Sequence, residues 1–121
     1  METRRWSRKL LKAEHAREYQ RLLELQGERD GLEAKLSIVN KEYETLYREL
    51  YENKGDVPDY VEDLLFYWGE RRIALARQYT KAKEDAANVL ATVEDLTTFI
   101  EELDKVIEEE DNATPEVKNG N

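Results

Sequence analysis

The sequence predicts an all-α protein, an elongated antiparallel helical hairpin of the coiled-coil type, on three observations. From Val61, alternating steps of four and three land on Leu65, Trp68, Arg72, Leu75, Tyr79, Ala82, Ala86, Val89, Val93, Leu96, Ile100, Leu103 and Ile107, with Arg72 the only non-apolar member. That is the period of a helix packed along its length on another helix. Upstream, Leu22, Leu25, Leu32, Leu36, Val39, Tyr43, Leu46 and Leu50 keep the same spacing once Arg29 fills one place. Finally, residues 1 to 12 are basic (Arg4, Arg5, Arg8, Lys9, Lys12) and residues 94 to 111 strongly acidic. Those ends become neighbours only if the helices run antiparallel.

Composition agrees. With 39% charged residues and 40% hydrophobic ones, the 121-residue chain carries more charge than a compact sphere of its size requires, and five Gly and two Pro leave long helices undisturbed. There is no Cys, which removes disulfides and thiolate metal sites. The N-terminus lacks the apolar core of a secretory signal and no apolar run is long enough to span a bilayer, so the expected location is the cytoplasm. A formal net charge of −9 argues against nucleic-acid binding by the molecule as a whole.

In chain order, the hairpin is expected over 1–111, with helix one at about 4–53. Leu11, His15, Tyr19 and Leu22 are related by steps of four, four and three, which reads as a stutter that locally unwinds the supercoil. Gly27 and Gly31 each cost about 1 kcal/mol in a helix interior, and Asp30 with Glu33 could cap a new helix. A break at 27–31, giving three helices, is therefore the alternative to one continuous helix. Continuity is preferred because the seam keeps its phase from Leu25 to Leu32.

A loop is expected at 54–58, where Gly55 suits a left-handed cap and Pro58 a helix start. Helix two then runs over about 59–111, opened by Asp59 and Glu62 in the spacing of a capping box. Folding back at the loop pairs residues whose numbers add to roughly 111. Residues 112–121, with Pro115 and Gly120 and no apolar period, are expected to be a disordered tail.

Little in the chain points to catalysis. His15 is the single histidine, which rules out paired Glu-x-x-His ligands, and no phosphate-binding glycine loop or nucleophile with a base is present. The acidic run from Glu101 to Asp111 reads as a solvated or arginine-paired face rather than a cation site. The expectation is no enzyme, no cofactor and no metal.

Two features suggest contacts. Near the loop, Tyr47, Tyr51, Tyr60, Phe66 and Tyr67 fall outside the seam, and outward aromatics at this density are the composition of a protein-binding site. Along helix two, Leu64, Leu90, Phe99 and Val106 widen the apolar surface beyond what one partner helix covers, which suggests homodimerisation into a four-helix bundle. The expected function is a non-enzymatic protein–protein interaction module, an adaptor, assembly scaffold or small protein inhibitor, with an unidentified protein partner. The alternative is a nucleic-acid-associated factor, using the basic N-terminal arm or imitating nucleic acid through the acidic face. No membrane association is expected, and no motif assigns the chain to a family.

Overall fold

The computed structural model describes residues 2–52 and 57–119. Two long helices account for nearly all of them, α1 over Glu2–Glu52 and α2 over Asp59–Asn119, packed against each other as a helical hairpin. Every member of the predicted α2 seam is buried or half-buried, and Leu75 and Val61 are the most deeply covered, each 1% exposed. Burying a side chain of that kind contributes roughly 1.5–3 kcal/mol, so the seam accounts for the packing of the helices.

The chain divides into two compact units, one formed by Met1–Glu24 with Ala86–Asn121 and the other by Leu25–Asp85. In the first, Arg4 pairs with Glu110, Arg5 with Asp111 at 2.6 Å and Arg8 with Asp104, while His15 lies 3.0 Å from Thr97. Ascending numbers on α1 meet descending numbers on α2, so the helices are antiparallel there, in a register slightly above the expected sum. In the second unit, Tyr43 of α1 meets Gly69 and Arg72 of α2.

The phase of early α1 differs from the expected stutter. Arg8, Leu11, His15, Glu18 and Leu22, an unbroken heptad, are all half-buried or buried, as is Glu14 beside His15, whereas Tyr19 is 49% exposed. Two of the polar residues in this stretch of seam have partners on α2, while Glu18 faces Arg21 of its own helix. Arg8 has Asp104, and His15 has the Thr97 hydroxyl. The Thr97 hydroxyl also reaches the Val93 carbonyl at 2.9 Å, and donating there leaves its oxygen as the acceptor for His15 Nε2.

Helix α1 passes through Gly27 and Gly31 without a break, so the three-helix alternative does not occur. Leu25, Arg29 and Leu32 all remain on the packed side, and extending an existing helix is far less costly than nucleating a new one. Gly55 and the rest of residues 53–56 lie outside the described residues. Beyond them α2 opens with a tight bond from the Val61 N–H to the Pro58 carbonyl, 3.0 Å long, so the turn is closed by main chain at Pro58. Asp59 and Glu62 stand in the first turn, where the helix dipole favours negative charge. At its other end α2 runs on to Asn119, past the terminus expected at residue 111 and through Pro115. Gly120 and Asn121 are outside the described residues.

No helix among the described residues is long and apolar enough to cross a membrane.

Candidate functional site

The aromatic residues flagged by the sequence all belong to the unit Leu25–Asp85. All five are exposed, from 44% at Tyr47 to 73% at Phe66. They do not form one surface. Tyr47 and Tyr51 each follow a seam residue of α1, Leu46 and Leu50, and Phe66 follows the seam residue Leu65 of α2. A step of one residue turns a helix by about 100°, which sets these three beside the same edge of the antiparallel seam. Tyr60 and Tyr67, one heptad apart and each preceding a seam residue, stand on the other edge. Tyr67 packs edge-on against Trp68, with ring centroids 5.1 Å apart.

The first edge is the more organised. Tyr43, Tyr47 and Tyr51 recur every fourth residue and form a ladder, with ring centroids 6.0 Å apart between the first pair and 4.7 Å between the second. The ladder starts in the seam and climbs outward. Its inner rung is held from two sides by α2. A Cβ on Gly69 would lie 3.2 Å from Tyr43 Cε2, so only glycine leaves room for the ring without a shift. The Arg72 guanidinium lies over the ring at 4.0 Å from its centroid, a cation–π contact, which is how a charged residue occupies the one polar place in the α2 seam.

At the outer end the Tyr47 hydroxyl donates to that of Tyr51 at 3.1 Å. The bond is made by the neutral phenol of Tyr47, and a second phenolate alongside would repel it, so Tyr47 titrates above the ordinary tyrosine range.

Two shallow concavities meet at Tyr43 and Arg72. One, of about 410 Å³, is bounded by the tyrosine ladder with Glu44, Arg48 and Glu52. The other, of about 340 Å³, is bounded by Leu65, Phe66, Gly69 and Ile73 with Glu62 and Glu70. Gly69 and Ile73 were not among the residues singled out from sequence. Their signal was position, since Gly69 directly follows the seam residue Trp68 and Ile73 directly follows Arg72.

The flanking residues of α2 also separate. Leu64 lies in the unit Leu25–Asp85 and is 38% exposed. In the other unit, Phe99 and Val106 precede the seam residues Ile100 and Ile107, while Leu90 follows Val89 and so sits across the seam from them. Phe99 is 54% and Leu90 41% exposed, and Val106 is half-buried.

The arginines of the basic N-terminal stretch face acids of α2, in the pairs Arg4–Glu110, Arg5–Asp111 and Arg8–Asp104. Lys9 sits 5.7 Å from the centroid of Trp6. Among the described residues, no three His, Asp or Glu side chains gather as metal ligands would. No protein-family model, curated protein sequence or solved structure matches the chain.

Proposed function

We propose that the protein is a non-enzymatic interaction module, an adaptor, scaffold or small protein inhibitor that binds another protein through the aromatic surface of the unit Leu25–Asp85. The observation that carries the reading is the exposure of Tyr51 and Phe66, at 58% and 73%, beside a tyrosine ladder whose inner rung is fixed by Gly69 and Arg72. A rigid aromatic surface offers large burial on binding at small entropic cost. The nucleic-acid alternative gains no support from the arginines at the start of α1, which have acid partners on α2.

The test is affinity capture from the native source with the parent chain and with the Tyr51→Ala, Phe66→Ala double variant. A partner retained by the first and lost by the second, with both chains equally helical, is the expected result. Equal retention by both chains sinks the proposal.

Self-association is the second part of the proposal, as a homodimeric four-helix bundle closed over Phe99 and Val106, with Leu64 and Leu90 as further exposed apolar groups on α2. Sedimentation at micromolar concentration should show a dimer that Phe99→Ser weakens. A strict monomer removes this part and leaves the aromatic surface as the only contact.

A further inference from the structure

We infer that the seam edge bearing Tyr47, Tyr51 and Phe66 is a seat for a third helix, supplied by a different protein, apolar on its inner face and edged with lysine or arginine. The inference rests on the proposed interaction role and specifies its ligand.

The shape comes from the order of groups along the seam. From Tyr51, through Tyr47 and Tyr43 opposite Gly69, to Ile73, the two concavities follow the helix axes for about three turns, ~18 Å at ~1.5 Å per residue. That is the span over which a helix presents apolar residues at i, i+3, i+4, i+7 and i+11. At Gly69 the floor of the concavity is the Tyr43 ring, which lies 3.2 Å from where a Cβ would stand, so an incoming helix would rest on an aromatic face there. Phe66 and Ile73, 73% and 46% exposed, stand on either side of that floor and offer apolar surface to a helix laid along it.

The charge comes from the border. Glu44 and Glu52 on α1 and Glu62 and Glu70 on α2 bound the concavities, against Arg48 and the Arg72 that lies on Tyr43. An apolar floor between acidic borders selects a helix with basic edges and rejects an acidic one. The same charges disfavour this edge packing on its own counterpart in a second copy, because Glu44, Glu52, Glu62 and Glu70 would face one another.

The experiment uses the full chain and a fluorescent amphipathic peptide of about 18 residues, leucine on one face and lysine on its edges, with a glutamate-edged peptide of the same leucine pattern. Binding is followed by anisotropy. The lysine-edged peptide should bind at least about tenfold tighter than the glutamate-edged one, and moderate salt should narrow the difference. Tyr51→Ala with Phe66→Ala should weaken it about tenfold or more, while Tyr60→Ala with Tyr67→Ala on the opposite edge should not.

Equal affinity for the two peptides, indifference to Tyr51 and Phe66, or no binding of either peptide overturns the inference. So does a self-association that disappears in the Tyr51→Ala, Phe66→Ala variant, since the occupant would then be a second copy. A native partner that depends on Tyr51 and Phe66 but does not compete with the peptide would overturn this inference and leave the interaction role standing.

Discussion

The ring of Tyr43 occupies the space in which a side chain at position 69 would begin, with Cε2 3.2 Å and Cδ2 3.8 Å from where a Cβ on Gly69 would stand. An alanine at 69 would require the ring to give by a few tenths of an ångström, and any such movement would also disturb its contact with the Arg72 guanidinium, 4.0 Å from the ring centroid. Gly69 therefore does for this helix pair what Gly27 and Gly31 do not. Around those two, nothing lies within 4 Å of an added Cβ.

The three glycines should respond oppositely to alanine. Gly27→Ala and Gly31→Ala should each raise stability by about 0.5–1 kcal/mol, the usual gain for removing glycine from a helix interior. At Gly69 the same gain is offset by overpacking against the Tyr43 ring and loss of part of its contact with Arg72, typically about 1–3 kcal/mol, so Gly69→Ala should be net destabilising. Urea melts of the three variants decide the matter. A Gly69→Ala protein as much stabilised as the other two would show that Tyr43 is free to move.

The heptad phase of early α1 can be tested by exchanging the roles of neighbours. Tyr19→Ala should cost less than about 1 kcal/mol, because Tyr19 is exposed, whereas Leu22→Ala should cost about 2–5 kcal/mol at a side chain only 4% exposed. Glu18→Leu should stabilise, since it places an apolar group at a half-buried seam position. If Tyr19→Ala proves the costlier of the two alanine variants, the stutter read from sequence is correct after all.

Truncation of the exposed aromatics should leave the fold nearly untouched. The Tyr51→Ala, Phe66→Ala variant should unfold within about 0.5 kcal/mol of the parent, as surface changes do, while Leu75→Ala should lose about 2–5 kcal/mol. Chemical denaturation followed by circular dichroism makes the comparison. A double variant as damaged as Leu75→Ala would place those rings in the core.

The tyrosine ladder predicts a late titration. Absorbance at alkaline pH should show one phenol ionising above the rest, and Tyr51→Phe should remove the delay by deleting the acceptor hydroxyl. The folded-state value of Tyr47 is raised, so its contribution to stability is fully present below the ordinary tyrosine value of about 10 and is lost as pH climbs through the raised one. An unchanged alkaline titration in Tyr51→Phe would assign the shift to another neighbour.

The heptad places of α2 were readable by themselves, because nearly every one carries an apolar side chain and burial of apolar surface is what selects the packed face. The continuity of α1 could be read in the same way from Leu25 and Leu32, whose unchanged phase across two glycines already pointed to one helix. The phase of early α1 was hidden, since Arg8, His15 and Glu18 look like surface residues until Asp104 and Thr97 are seen opposite the first two. Arg8 and His15 join the seam because the facing helix supplies their partners, and those partners are remote in sequence. Composition near the loop located the aromatic rings, and their places beside the seam already divided them between two edges. Which edge each ring joins follows from whether it precedes or follows a seam residue, whereas which rings meet across the two helices depends on their register. The pairing of Tyr43 with Gly69 was decided at the same level, because a missing side chain has meaning only once the atoms that fill its place are known.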